Sequence, residues 1–353
     1  MKAKKNKKTY VVNGKFMSDR MQGIVRYGRE ILNSLDKLLS EEDEVKIILA
    51  VPNNAVDVPA FKNIEVIELG QKTGITWEQT ELRKYIKENK SYTLLNFCNV
   101  TPFFVRPGIT TVHDIMYKTF PENYKSLRNK ISRLWHCIQY RYIFSHEKLI
   151  ITVSEFSKKE IERSYPKSKG KIHVIPNGWQ HVLEYKENSE WQMTYPFLEP
   201  GRYYFSLATL AANKNVNWTI EVAKKNPDSV FAIGGKIYGS EYENIPENIH
   251  LLGFISDEDA CSLIRHCKAF LYPSLYEGFG IPPLEALGLG AEVISSDATS
   301  LPEVLGTSAR YFDPHDYDVD IDHLLEASVD QDALEKYSWD KSAAMLKNVL
   351  EKM

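Results

Sequence analysis

Cysteine is scarce and unpatterned: Cys98, Cys137, Cys261 and Cys267 form no Cys-x-x-Cys pair. That argues against a zinc site and a disulfide-stapled secreted scaffold, and the four read as reduced core residues of a cytoplasmic protein. No apolar run approaches 18 residues, and the N-terminus lacks the hydrophobic middle of a signal peptide. The expectation is a chain that neither spans a membrane nor is exported. Glycine is missing where common nucleotide sites need it. Neither half has G-x-G-x-x-G after its first strand-like run, and G-x-x-x-x-G-K-[ST] does not occur. A nicotinamide dehydrogenase and a P-loop kinase both lose support. There is no short-period repeat, and no low-complexity tract beyond the lysines of the opening MKAKKNKK.

What is present suits a soluble α/β protein. With 353 residues, 43% hydrophobic and 26% charged, the chain has the size for roughly two domains and can bury a core without cross-links. The net charge of −3 conceals a polarity. Residues 1–200 hold 32 Lys+Arg against 23 Asp+Glu, and residues 201–353 hold 12 against 24. One reading is a basic first half that faces an anionic partner, phosphate or lipid; the other is solubility alone.

Short apolar runs alternate with helix-period segments. The first half offers strands at 10–12, 45–51, 64–67, 93–97, 110–113, 149–153 and 172–175, and helices at about 22–38, 77–89, 123–144 and 155–164. The second half repeats the rhythm, with strands near 203–208, 230–233, 249–252, 269–272 and 292–295 and helices near 217–226, 257–266, 282–289 and 318–327. A last helix covers about 331–352. Such alternation gives parallel sheets with helices on both faces, an α/β fold twice over. The breaker-rich stretch 179–200 has no period and reads as the connection. The expected division is a first domain over 1–180, a linker over 181–200, a second domain over 201–335 and a C-terminal helix over 336–353.

In open sheets of this kind ligands bind beyond the carboxyl ends of the strands. Residues 268–306 place a strand, the loop Glu277-Gly278-Phe279-Gly280, a helix opened by Pro282 and Pro283 and stopped by Gly290, and another strand in that order. Loop and helix N-terminus offer backbone N–H groups to a phosphate. Glu277 and Glu285 are acceptor-only groups that suit vicinal hydroxyls of a sugar or ribose. The structural alternative is that Glu285 favours the helix dipole and Glu277 caps the helix.

The run Tyr276-Glu277-Gly278-Phe279-Gly280-Ile281-Pro282-Pro283-Leu284-Glu285-Ala286 resembles the E-x7-E signature of the retaining glycosyltransferase family 4, here of the bacterial surface-polysaccharide type. The resemblance continues in Gly23-Ile24-Val25-Arg26-Tyr27, Thr111-Val112-His113-Asp114, Val153-Ser154-Glu155-Phe156-Ser157, Ile175-Pro176-Asn177-Gly178, Lys214-Asn215, Leu301-Pro302-Glu303-Val304 and Tyr311-Phe312-Asp313-Pro314, in family order. It implies the GT-B fold: two Rossmann-like doubly wound domains facing a central cleft, the first for the acceptor and the second for the nucleotide sugar, with the C-terminal helix packing back on the first.

By the same resemblance, Lys214 and the amides of Gly278, Phe279, Gly280 and Ile281 would hold the departing diphosphate. Glu285 would bind the ribose, Glu277 the donor sugar hydroxyls, and Gly253, Phe254 and Ile255 the base through the main chain. His113 would lie near the anomeric centre, with Asp114 orienting it or holding its loop, and Gly23 and Arg26 would complete the donor site. A strand-end His-Asp taken alone more often makes a structural hydrogen bond. The Arg that usually adjoins the family's Lys is absent, its neighbouring positions being Thr209 and Asn213, and Lys236 or Arg26 is a candidate substitute. No enzymic nucleophile is assigned; the departing phosphate takes the acceptor proton. No metal or cofactor is expected, since the alternating run Asp316, Asp318, Asp320 and Asp322 lies far downstream and reads as a solvated helix start.

The implied activity is metal-independent transfer of a hexose or deoxyhexose from a nucleotide-diphosphate sugar to a hydroxyl of a lipid-linked or surface polysaccharide, with nucleic acid excluded as a partner. Val112-His113-Asp114-Ile115 followed by Phe120-Pro121-Glu122 resembles the mannosyl and rhamnosyl branches. The alternatives are a nucleotide-sugar epimerase, which needs no acceptor, and a noncatalytic partner that kept the fold.

The segment 124–144 carries Lys125, Arg128, Lys130, Arg133 and Arg141 among Leu127, Ile131, Leu134, Trp135, Ile138 and Ile143. It reads either as a basic amphipathic helix that, with the lysine tail, touches the inner face of an anionic membrane, or as a domain helix with its apolar face in the core.

Overall fold

A computed structural model describes residues 7–209, 211–236, 242 and 244–353. The lysines at positions 2, 4 and 5 lie outside the described residues. The chain forms two compact units. The first comprises residues 1–119, 124–177 and 339–353, and the second comprises 120–123 and 178–338.

The first unit is built on strands β1 (Lys8–Asn13), β2 (Val45–Val51), β3 (Glu65–Glu68), β4 (Thr93–Asn96), β5 (Ile109–Thr111), β6 (Leu149–Thr152) and β7 (Ile172–Val174). They pair in parallel in the order β3-β2-β1-β4-β5-β6-β7. Val45–Val51 is an almost unbroken apolar run because both faces of this interior strand are covered. Helices α1 (Gly23–Leu38), α2 (Leu127–His146) and α3 (Glu155–Ser164) belong to this unit. Between β3 and β4 the helical stretch 74–88 contains a π-helical turn at Glu78–Leu82, which turns the Glu78 carboxylate inward.

The second unit repeats the plan with β8 (Tyr203–Leu207), β9 (Val230–Gly234), β10 (Ile249–Gly253), β11 (Ala269–Tyr272), β12 (Val293–Ser296) and β13 (Arg310–Phe312), all parallel, in the order β10-β9-β8-β11-β12-β13. Helices α4 (Val216–Lys225), α5 (Asp257–His266) and α6 (Ile281–Gly288) lie between its strands in the chain. Trp218 stacks on Phe312 at 3.9 Å in its core. Each sheet reverses its strand order once, between β1 and β4 and between β8 and β11, and those two switch points are where this architecture opens a crevice for ligand.

Several expectations change. The last helix is two: Asp332–Lys336 stays in the second unit, Tyr337 is extended with its ring edge-on to Phe279, and α7 (Trp339–Lys352) belongs to the first. There α7 packs on α1, and Leu350 accepts a hydrogen bond from the Tyr10 hydroxyl at 2.7 Å. The helix expected at 318–327 shrinks to Ile321–Leu324. Asp313 and Asp316 accept from the backbone two residues on, forming turns, and Asp320 caps the short helix. The expected linker 181–200 is packed instead, with Trp191, Tyr195 and Leu198 buried and Asn188 bonded to Ser262 and Asp259 on α5. β13 had no counterpart among the expected strands.

Candidate active site

At the switch point of the second sheet, the loop after β8 meets the loop after β11. Asn213 makes the join. Its carbonyl accepts from the Leu275 amide at 2.7 Å and the Ser274 hydroxyl at 2.9 Å, and its side chain donates to Tyr276 O at 3.0 Å. Asn123, carried by the short segment that the first half of the chain lends to this unit, exchanges hydrogen bonds with Asn213. Asn213 is 2% exposed, so the position beside Lys214 is structural here.

The clip sets the next residue. Lys214 Nζ lies 2.6 Å from Glu277 Oε1 and donates to the Tyr272 hydroxyl at 2.8 Å. The same carboxylate oxygen accepts from Tyr272 at 2.9 Å and from Ser274 at 2.6 Å. Burial alone would lower the Lys214 pKa, but the Glu277 charge and the Tyr272 oxygen outweigh it and hold the ammonium well above the ordinary lysine range. Burial raises the Tyr272 hydroxyl, so it stays protonated and can bridge the pair. The Glu277 amide donates to Thr299 at 3.0 Å and its carbonyl accepts from Ser300, which fastens this loop to the one after β12.

Gly280 caps α6 with φ +91°, and a Cβ there would come within 2.4 Å of Leu301. Pro282 and Pro283 in the first turn carry no N–H, so the donors at this end are the loop amides rather than the helix itself. Gly280→Ala is expected to cost about 1–3 kcal/mol of stability, read as an earlier urea midpoint, because alanine is strained at that φ.

Glu285, one turn into α6, accepts from His181 Nε2–H at 2.7 Å. His181 is 4% exposed and sits on the short helical turn Gln180–Glu184, in the stretch expected to be a linker. The turn is held against α6 by its neighbours. Trp179 donates to Leu334 O and Gln180 to Tyr337 O, while a Cβ on Gly288 of α6 would strike the Trp179 ring at 2.2 Å. Sequence reading had no means to find His181, since a single histidine among breakers has no period. At the end of β10, Gly253 has φ +68°, Phe254 is 80% exposed and Ile255 is buried. Lys236 is exposed.

In the first unit, His113 follows β5 and is 6% exposed. Its amide donates to Asn99 Oδ1 at 2.8 Å, its Nε2–H donates to Phe97 O at 2.8 Å, and the Tyr27 ring meets it edge-on at 4.9 Å. Burial lowers its pKa to about 4, so the ring is neutral with Nδ1 bare of a proton. Asp114 accepts from the Met116 amide at 2.8 Å and so holds the turn. Gly23 opens α1 and Arg26 lies one turn along it. Beside them at the first switch point, Asn13 bridges Glu78 and Asn96 at 3.0 Å each. Thus Lys214 and Glu277 are joined in one cluster with the loop residues 278–281, Glu285 stands on the helix that follows, and His113 and Asp114 belong to a separate cluster in the first unit. Among the described residues no group of His, Cys, Asp or Glu is arranged to hold a metal ion.

Two family models match in chain order, Glycosyltransferase Family 4 over residues 23–180 and Glycosyl transferases group 1 over residues 188–339. O-antigen chain mannosyltransferase B of Escherichia coli is 28% identical over 298 residues, 76% of this chain and 71% of that one. The serotype-specific mannosyltransferase WbdA of Escherichia coli is 30% identical over 167 residues, 43% of this chain but 20% of that much longer one. The structure of sucrose-phosphate synthase from Thermosynechococcus elongatus superposes with a TM-score of 0.71 at 14% identity, over 98% of each chain. That likeness shows the GT-B fold.

Proposed function

Since the chain belongs to glycosyltransferase family 4, we propose that it transfers a hexose or deoxyhexose, mannose or rhamnose, from a nucleotide-diphosphate sugar to a hydroxyl of a lipid-linked or surface polysaccharide. Transfer proceeds with retention, without a metal, on the cytoplasmic side of an anionic membrane that the first unit touches. The observation that carries the reading is the Lys214–Glu277 pair at the switch point of the second sheet, next to the loop amides of 278–281. Relatedness to an O-antigen mannosyltransferase supports the acceptor and sugar classes.

Breaking the bond between the anomeric carbon and the diphosphate leaves a developing cation on the sugar and growing negative charge on the phosphate oxygen. Fixed positive groups aimed at that oxygen supply the largest stabilisation. Lys214 is the full charge, held rigid by Tyr272. In the unliganded protein its counter-ion is Glu277. An arriving diphosphate takes over that role, and the Glu277 carboxylate, still fixed by Ser274 and Tyr272, turns its second oxygen to the sugar hydroxyls. Glu285 accepts from the ribose hydroxyls while His181 holds its other oxygen. In the first unit the neutral His113 Nδ1 is an acceptor suited to a sugar hydroxyl, and the departing phosphate takes the acceptor proton.

The test is thermal stabilisation by UDP, GDP, TDP and ADP and their common sugars in the presence of a chelator. A ligand at 100 times its Kd adds about 2.7 kcal/mol, a visible shift. One responding nucleotide is expected; silence across the panel sinks the donor site, and release of epimerised sugar nucleotide without acceptor would mean an epimerase. Within this reading, His181→Ala is expected to raise the donor KM about tenfold with kcat changed less, since it frees the Glu285 carboxylate to rotate. Steady-state kinetics against donor concentration measure it, and His181→Gln, which keeps a donor N–H, should recover part of the loss.

A further inference from the structure

Helix α2 presents an apolar stripe to solvent. Leu127, Ile131, Leu134 and Ile138, spaced four, three and four apart, are 76%, 62%, 61% and 46% exposed. The core side of the helix is a different set, Gln139, Tyr140, Ile143 and Phe144. The sequence alternative in which its apolar face fills the core therefore holds only for the C-terminal turns. A strip of large aliphatic side chains costs solubility unless something covers it. The helix contains no Asp or Glu, and Lys125, Arg128 and Lys130 stand exposed around its start.

Beside the stripe lies a cavity of about 500 Å³. It is lined by Lys118, Arg133 and Arg141 together with Leu134 and Tyr165, and no carboxylate reaches it. None of the three cations is in an ion pair among the described residues, and Arg133 Nε is buried with no hydrogen-bond partner. Lys118 Nζ is steered into place by Ser164 O at 3.2 Å and the face of the Tyr165 ring at 4.3 Å. Leu134 belongs to both features, so the apolar stripe and the cationic cavity form one continuous surface.

We propose that α2 lies in the boundary of an anionic bilayer, with Leu127, Ile131, Leu134 and Ile138 inserted among the acyl chains and one lipid headgroup phosphate seated between Lys118, Arg133 and Arg141. The charge is complementary, and aliphatic side chains flanking a phosphate site are what a lipid, with its phosphate and tails in one molecule, requires. The inference gives a binding site to the membrane contact in the functional reading and rests on it only there.

The experiment is co-sedimentation of the full chain with vesicles of phosphatidylcholine alone and of phosphatidylcholine with phosphatidylglycerol. Binding is expected to the second only. Ile131→Ser/Leu134→Ser and Arg133→Gln/Arg141→Gln should each weaken it on the order of tenfold, and because these side chains are largely exposed or unpaired, thermal midpoints should hardly move. Unchanged binding by both pairs overturns the proposal. So does a thermal shift with inorganic phosphate that depends on Arg133 and Arg141 in a protein that ignores both vesicles, which would mark a site for soluble anions. The nucleotide response is measured in parallel: if it persists while vesicle binding is absent, only the membrane site fails, and if it is absent while vesicles bind, only the donor site does.

Discussion

Lys214→Ala is expected to lower kcat by about 10²- to 10³-fold and to leave the protein folded. Under the proposed function the rate falls because the ammonium that would face the departing diphosphate is gone. Folding survives because the Glu277 carboxylate keeps the Tyr272 and Ser274 hydroxyls as donors, and its side chain retains 13% exposure to water. A loss of about 1–3 kcal/mol in stability is the expected scale for the lost charged partner. Glu277→Gln should also reduce turnover, but with Lys214 still present the nucleotide-diphosphate affinity should hold or rise, since the ligand no longer competes with a carboxylate for the ammonium. Single-turnover rates and nucleotide titrations of the two variants separate these effects. Equal loss of nucleotide affinity in both would mean that the pair acts as a structural strut.

Acid is expected to withdraw stability from the first unit through two desolvated histidines, the buried His113 and the half-buried His136. His113 and His136 both have pKa values lowered to about 4 by burial, against about 6.5 in an unfolded chain. A depressed histidine contributes stability that is complete above about pH 6.5 and is lost as pH falls toward 4, because the unfolded chain takes up the proton first. By pH 4.5 each should have withdrawn roughly 2–3 kcal/mol. Glu78 and Glu147 act in the opposite sense. Burial raises both carboxyls, so as pH falls the folded state takes up their protons before the unfolded chain does. The clean measurement is therefore a difference between proteins. Urea midpoints of wild type and His113→Gln, which keeps the donor to Phe97 O, should converge from pH 7 to pH 4.5, and parallel curves would show that the ring is protonated inside the fold. His136 stacks on Tyr117 at 3.9 Å with Nδ1 buried and unpartnered, so its glutamine variant should behave alike.

How much of this was readable in the chain depends on whether the signal was local. Alternating apolar runs and helix-period segments carried the two parallel sheets, because strands buried on both faces must be apolar throughout. The Glu277 loop was readable because glycines, prolines and two glutamates sit within eleven consecutive residues. Tyr272 and Ser274 were hidden: one is the end of a strand, the other an ordinary loop serine, and only the bend of the chain brings both hydroxyls to Glu277. His181 was hidden for a stronger reason, its partner being 104 residues away. The π-helical turn at Glu78–Leu82 leaves no mark in periodicity longer than its own length. The break at Tyr337 was masked because Asp332–Lys336 and α7 continue one helical pattern across it.

The return of α7 to the first unit also bears on inheritance. Each unit is encoded in pieces: 339–353 and 120–123 each belong to the unit that most of their flanking codons do not. A recombination event that joined one gene's front to another's back at a single point near 177 would import a foreign α7, with Trp339, Ala343, Leu346 and Leu350 buried against an α1 that had never met them. The second unit can be exchanged between such genes cleanly only by a double crossover that spares the codons of α7. Chimaeras of this chain should be cut near 177 and again near 338, with residues 120–123 drawn from the same parent as 178–338.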